Sequence, residues 1–149
     1  MKKKEYTSYD TAKYRREYVD ESTGGYLVID RRRIVQGSIN KQEIEKFEKE
    51  RDMCIVLAKN GYTVEYLEDR QGSYDIYLNG IPADLKSTSS HNNMVKYARK
   101  ATREQGAKIV VFEFEKETDM MHAEIRRLQS KAIRGKYYFS RKKDIVYDF

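Results

Sequence analysis

The chain of 149 residues contains one cysteine, one proline and two histidines. A lone thiol, Cys54, excludes an internal disulfide, and Cys54, His91 and His122 are too few for a structural zinc site. No apolar run approaches the ~20 residues that cross a bilayer, and no apolar segment follows the basic start Lys2-Lys3-Lys4. The sequence therefore argues against a membrane span and a secretory leader, and a reducing cytosol is the expected compartment. It also lacks a glycine-rich phosphate loop, a Ser-His-Asp order and a Cys-His nucleophile signature.

What is present is charge and tyrosine. Thirty Lys and Arg against 24 Asp and Glu give a net charge of +6, an imbalance that favours polyanionic partners through phosphate contacts and counterion release, or equally a plain solvated basic surface. Thirteen Tyr and five Phe supply the large side chains of a core, which rules out a wholly disordered chain. A chain of this length buries roughly 70% of its unfolded surface without staples, so one domain over residues 23–149 is expected. Residues 1–22 lack a helical or strand period and are expected to form a flexible N-terminal arm.

The pattern along the chain predicts a mixed α/β fold. Tyr26 to Asp30 has strand composition and ends in the charges Arg31, Arg32 and Arg33. Asn40 is a candidate N-cap, with Glu43 three residues on, for a helix to Asn60 that Gly61 stops. Its stripe of Ile44, Phe47, Cys54, Leu57 and Ala58 is expected to pack on a sheet, which makes Cys54 a core residue. Three strands follow, 62–67, 74–78 and 81–86, then a helix over 92–105 with an inward stripe of Met94 or Val95, Ala98, Ala101 and Gln105. A buried strand at 108–114 precedes a third helix over 118–134, closed by Gly135, with Met120 and Met121 as core filling. Strand composition at 137–139 and 145–149, around Arg141, Lys142 and Lys143, predicts a final hairpin or edge strand.

Asn79-Gly80 is the dipeptide favoured at the two positive-φ positions of a type I′ hairpin turn. Counting outward pairs Leu78 with Ile81, Tyr77 with Pro82, Ile76 with Ala83 and Asp75 with Asp84. Alternation then sends Asp75, Tyr77, Asp84 and Lys86 to one face and the apolar Ile76, Leu78, Ala83 and Leu85 to the other. Pro82, the only proline, falls at a non-hydrogen-bonded pair, where its missing N–H costs nothing on that side.

Two directly opposed carboxylates repel unless a cation or a shared proton relieves them, and a divalent metal is the economical explanation. Hard oxygen ligands favour Mg or Mn over zinc. Lys86, two residues after Asp84, would place an ammonium beside the cation to bind a phosphate oxygen or help deprotonate water, the chemistry of metal-assisted phosphodiester hydrolysis. The competing reading is an exposed hairpin in which Lys86 neutralises both aspartates for under ~1 kcal/mol per pair.

The order αβββαβ, with Tyr74-Asp75 opening one strand and Asp84-Leu85-Lys86 in the next, resembles the PD-(D/E)XK nuclease superfamily, whose core is restriction-endonuclease-like. The stretch from Thr23 to Phe114, with Gly24-Gly25-Tyr26, Glu50, Leu57 to Val64, Asp75 to Gly80, Asp84 to Ser87 and the helix ending in Gln105, is similar to the C-terminal tRNA-nuclease toxin domains of contact-dependent growth inhibition proteins and related phage and mobile-element domains. The resemblance implies that Asp75 and Asp84 hold the metal, that Lys86 is the catalytic lysine, and that Glu50 is the helix-borne acid, with Glu48 as the alternative. Tyr74 stands where the family usually has proline, and Asp84 where Glu is commoner. The resemblance further implies RNA, specifically tRNA, in preference to duplex DNA, and an acidic immunity protein as partner. A non-catalytic binding module on a degenerate nuclease fold is the alternative.

Ser87, Thr88, Ser89 and Ser90 are candidates for hydrogen bonds to phosphate, or for a loop and helix cap. Gln105 is a candidate to point at substrate, and His91 is a general acid or a solvated loop residue. Arg31 to Arg33, the set Lys96, Arg99, Lys100 and Arg103, and Arg141 to Lys143 are three basic patches that either track phosphates or face solvent, with tyrosines available to stack on unpaired bases.

Overall fold

Hydrophobic period decides most of the elements, and the computed structural model describes residues 9–88 and 90–149. Among the described residues eight strands and four helices occur, in the mixed α/β class the sequence predicts. They divide into two compact units, one formed by residues up to Asp69 together with Asp75–Gly80, the other by Arg70–Tyr74 and Ile81–Phe149.

In the first unit, β1 (Tyr14–Val19) pairs antiparallel with β2 (Tyr26–Asp30). Strand β2 is parallel to β3 (Thr63–Tyr66), which is antiparallel to β4 (Ile76–Leu78). Between β2 and β3 lie α1 (Arg31–Gln36) and α2 (Lys41–Lys59). Asn40 caps α2 as expected, its side chain accepting from the Glu43 N–H at 2.9 Å. Cys54, Leu57 and Ala58 are fully buried against Leu27, Ile29, Val64, Tyr66, Ile76 and Leu78, so α2 covers one sheet face with its second half. Ile44, assigned to that stripe by the sequence, is instead 39% exposed. The first turns of α2 meet too little sheet to be covered.

Two further elements depart from the sequence reading. Tyr14–Val19, assigned to the arm, is a strand; only Tyr14 is buried on it, and a register shift between Arg16 and Tyr18 breaks the alternation that would have revealed it. Residues 1–8 of the arm lie outside the described residues. Arg31 to Arg33 do end β2, but they open the helix α1, whose N-cap Asp30 accepts from the Arg32 N–H at 2.9 Å.

In the second unit β5 (Ile81–Thr88), β6 (Ile109–Phe114) and β7 (Arg134–Phe139) are parallel, and β8 (Lys142–Asp148) returns antiparallel to β7 as the expected hairpin. Helix α3 (Met94–Arg103) connects β5 to β6, and α4 (Asp119–Ser130) connects β6 to β7. Their buried stripes, Met94, Ala98 and Ala101 on α3 and Met121, Ile125 and Leu128 on α4, close on Val110, Phe112 and Phe114. Met120 is 52% exposed, so only its neighbour Met121 fills core. Helix α4 stops at Ser130, before the Arg134 expected from the sequence, because Ala132 takes a left-handed φ of 59°. Gly135 therefore belongs to β7, where a Cβ would lie 2.0 Å from the Val110 carbonyl oxygen.

The element order from α2 through β3, β4, β5 and α3 to β6 is the αβββαβ order read from the sequence. Asn79 and Gly80 alone connect β4 to β5, both with positive φ, 49° and 81°. Asn79 is anchored within its unit, since its side-chain oxygen accepts from the Thr63 N–H at 2.8 Å and its own N–H donates to the Thr63 carbonyl.

Gly25, at the entry to β2, is a point of close approach: a Cβ there would stand 1.9 Å from the Ala58 carbonyl oxygen and 3.0 Å from that of Tyr62. Both obstacles are backbone and cannot swing away. Gly25→Ala is expected to lower unfolding free energy by about 3 kcal/mol, the upper end of overpacking costs; a urea midpoint unchanged from wild type would contradict this.

Candidate functional site

The two units carry the sequence-predicted residues separately, Glu50 and Asp75 in the first and Asp84, Lys86, Ser87, Thr88, His91 and Gln105 in the second.

Strand β5 alternates. Ala83 and Leu85 project to one face, while Asp84 and Lys86 share the other, the face on which Val110 and Phe112 of β6 lie beside them in parallel register. That face is apolar, and Asp84 is buried in it, only 2% exposed. Lys86 Nζ lies 3.2 Å from Asp84 Oδ2, but not in hydrogen-bonding alignment, so Oδ2 is a buried oxygen without a hydrogen-bond partner. The ammonium is partly exposed and sits 5.8 Å from the centre of the Tyr97 ring on α3. A carboxylate oxygen removed from water and left unbonded is costly, by several kcal/mol per ion, unless something else takes up the lone pairs. Asp84 is accordingly a hard-oxygen donor with spare capacity, which fits a divalent cation such as Mg or Mn. Among the described residues no group of three or more His, Cys, Asp and Glu side chains could hold a metal ion. A cation held here would therefore retain several waters or take oxygens from substrate, as Mg does.

The hydroxyls after Lys86 have local partners. Ser87 donates to Glu113 Oε1 at 3.3 Å, on the face opposite Asp84, and Tyr138 donates to the other oxygen of Glu113 at 2.7 Å. Thr88 exchanges bonds with Ser90, its hydroxyl donating to the Ser90 carbonyl and accepting from the Ser90 N–H. Ser89 lies outside the described residues. Gln105 is half-buried just past the end of α3, with its side-chain oxygen buried and unbonded. His91 is not the solvated loop residue that the sequence allows: it is 7% exposed, edge-on to Phe114, with Nδ1 2.8 Å from the Thr118 hydroxyl and Nε2 buried without a partner. Burial pushes its imidazole below the ordinary value, towards the neutral form.

In the first unit, the helix phase left open by the sequence is resolved. Glu48 is exposed, whereas Glu50 turns inward. Glu50 Oε1 accepts from the Tyr66 hydroxyl at 2.7 Å and meets Arg33 Nη2 at 3.4 Å. Arg33 is 1% exposed, its guanidinium 5.3 Å from the Phe47 ring and 5.1 Å from the Tyr66 ring. Burial, then the nearby Glu50 charge, push the Tyr66 hydroxyl far up, and the buried Cys54 thiol is raised by desolvation and by the carboxylates of Glu50 and Asp75. Asp75 stands one residue before β4, its carbonyl accepting from the Leu67 N–H at 3.1 Å, so it extends the β3–β4 ladder by one position.

With these positions established, comparison with solved structures finds similarity of fold to a chain of the CdiA-CT/CdiI toxin and immunity complex from Burkholderia pseudomallei. The TM-score is 0.56 at 14% identity, covering 75% of this chain and 89% of that one. At this identity the likeness is one of fold. No protein-family model matches the sequence, and no curated protein matches it.

Sequence reasoning missed the buried Arg33 because three consecutive arginines read as an exposed patch. The usable signal was position: Asp30 caps α1, so the third arginine returns to the covered side while Arg32 pairs outward with Asp30 and Glu68. Arg33→Ala is expected to cost about 3 kcal/mol or more, since it strips Glu50 of its cation and two rings of their filler, and Arg33→Lys should recover only part of that because a point charge cannot replace the planar fork. Full recovery by lysine in urea unfolding would refute this account.

His91 gives a pH prediction. Its folded pKa is lowered, so its contribution to stability is complete above the unfolded value near ~6.5 and is lost as pH falls through the folded value. His91→Asn is expected to flatten the acid-side fall in stability below about pH 6.5. Parallel curves for both proteins would count against a neutral buried imidazole.

Proposed function

We propose that this chain is a metal-dependent nuclease that hydrolyses phosphodiester bonds of RNA, with tRNA as the favoured substrate, and that it acts as a toxin neutralised by an acidic immunity protein. The observation that carries the reading is the buried Asp84 carboxylate, with one oxygen unbonded and the Lys86 ammonium 3.2 Å from it. A buried carboxylate of this kind beside the apolar Val110 and Phe112 of β6, with its nearest ammonium out of alignment, has capacity that the fold itself does not use. Further support comes from the αβββαβ element order and from the two-residue positive-φ turn between β4 and β5. A fold similar to that of a chain in a toxin and immunity complex supports the toxin reading and the existence of an immunity partner.

In this reading Asp75 and Asp84, nine positions apart along a chain that turns at Asn79-Gly80, are the residues that would hold one Mg or Mn ion. Such an ion would supply Lewis acidity toward the scissile phosphate and a lowered pKa for a bound water. Lys86 contributes a cation that binds a non-bridging phosphate oxygen as charge develops there, and Tyr97 limits where that ammonium points. Glu50 is the helix-borne acid of the same reading; Arg33 and Tyr66 compete for its carboxylate, so its role is to orient rather than to bind the ion alone. Ser87, Thr88 and Gln105 are assigned to substrate contact, for which Thr88, on the same strand face as Asp84 and Lys86, and the unbonded oxygen of Gln105 are best suited. A substrate with splayed, unstacked bases suits a chain with 13 tyrosines better than a closed duplex does.

The deciding experiment incubates the purified protein with Mg or Mn and, separately, total tRNA, plasmid and linear duplex. Cleavage of tRNA is expected to stop with EDTA and to fall about a hundredfold or more in Asp84→Asn and in Lys86→Ala, each checked for unchanged unfolding. Calorimetric titration with Mn should show binding that Asp84→Asn abolishes. Equal cleavage by wild type and Asp84→Asn would overturn the assignment, plasmid cleavage with intact tRNA would replace RNA by DNA, and salt-sensitive binding without turnover would favour a non-catalytic module.

A further inference from the structure

The three basic patches read from the sequence do not share one fate. In the first, Arg33 is buried and Arg32 is neutralised by Asp30 and Glu68. The patch on α3 is different. Lys96, Arg99, Lys100 and Arg103 are all exposed, and none of them takes part in an ion pair among the described residues. At 100° per residue they fall within about 100° of helix surface, opposite the buried Met94, Ala98 and Ala101. The only acid bordering the stripe on α3 is Glu104, at its C-terminal end.

This stripe borders a concavity. Between α3 and α4 lies a cleft of about 370 Å³ lined by Asn92, Val95, Lys96, Arg99, Glu124 and Arg127. Glu124, its one acid, is buried and already engaged by Arg127 at 3.0 Å, so the cleft presents a net positive charge from Lys96 and Arg99 beside a pinned guanidinium. Arg127 uses one N–H group on Glu124 and keeps its others for a further acceptor. Such concentration of unneutralised charge is destabilising by self-repulsion unless an anion occupies it.

We propose that the α3–α4 cleft and the basic face of α3 form a binding site for the phosphodiester backbone of RNA, separate from the residues assigned to hydrolysis. The assignment to RNA rests on the nuclease reading; the anionic, repeating character of the ligand rests on the cleft itself. Lys96 and Arg103 are about 10 Å apart along the helix axis, a length over which a duplex strand carries about three phosphates. Tyr97 of α3, the ring beside Lys86, lies on the flank of the helix away from Val95 of the cleft, with the exposed basic stripe between the two. A strand that crosses this stripe would pass from the cleft toward the proposed reacting centre. An acidic protein surface would match the sign of the charge too, but exposed cations set in line along one helix face suit a linear polyanion better than a broad surface.

The test measures binding without turnover. Fluorescein-labelled single-stranded RNA of mixed sequence is titrated with full-length protein in EDTA at several salt concentrations, using wild type, Lys96→Gln/Arg99→Gln and, as a charge-matched control, Arg141→Gln/Lys142→Gln. The cleft variant is expected to weaken binding about tenfold or more at low salt and to reduce the slope of log K against log salt by about 1.4, two contacts at 0.7 each, while the control changes neither. Equal losses in both variants would mean that net charge alone is sensed and would overturn the proposal. Tighter binding of polyglutamate than of RNA, with the same sensitivity to the cleft variant, would also overturn it and assign the cleft to an acidic protein. A separate cleavage assay in Mg keeps the two readings apart: RNA binding by the cleft with no cleavage sinks the nuclease and leaves the cleft standing, whereas cleavage with binding unaffected by Lys96→Gln/Arg99→Gln sinks the cleft alone.

Discussion

A carboxylate on the covered face of a strand constrains everything around it. Asp84 occupies a position where parallel register puts Val110 beside it and where neighbouring side chains on that face are apolar. Desolvating an ion there costs several kcal/mol, and the single ammonium nearby is too poorly aligned to return it through a hydrogen bond. The first unit solves the same problem differently. Glu50 receives a short bond from Tyr66 and a guanidinium from Arg33, which two aromatic rings hold in place. One acid receives two donors of its own protein on a single oxygen, whereas the other keeps a buried oxygen with no donor at all, and in that the two carboxylates differ.

Much of this was legible in the sequence. The αβββαβ order followed from period alone, Asn40 announced its cap, and Asn79-Gly80 announced its turn through the positive φ that both residues adopt. The pairing of Asp84 with Lys86 on one face followed from alternation. What escaped was set by tertiary contact. Strand β1 buries one tyrosine and is interrupted by a register shift, so no window along it carries a period-two signal. Gly135 resembled a helix terminator because glycine commonly is one, yet its lack of a Cβ serves a close approach to Val110, and Ala132 takes the left-handed turn instead. Ile44 and Met120 have the right spacing but lie where no partner surface reaches. Arg33 is the sharpest case, since only the direction of a six-residue helix turns one arginine of three inward.

The same lesson changes how the net charge of +6 is to be understood. Composition weights every lysine and arginine equally, but an ion-paired or buried cation contributes little to the field that a distant polyanion feels. Arg32 and Arg33 are spent on Asp30, Glu68 and Glu50, and Lys46 on Asp69. The cations of α3 are not, and their spacing of three and four residues makes a single exposed line of them. The useful quantity is therefore the charge left over after folding has used what it needs. In the second unit part of that remainder, Lys96, Arg99, Lys100 and Arg103, lies along the helix whose Tyr97 is the ring beside the Lys86 ammonium, so one short helix carries both a line of unneutralised charge and a neighbour of the Asp84–Lys86 pair.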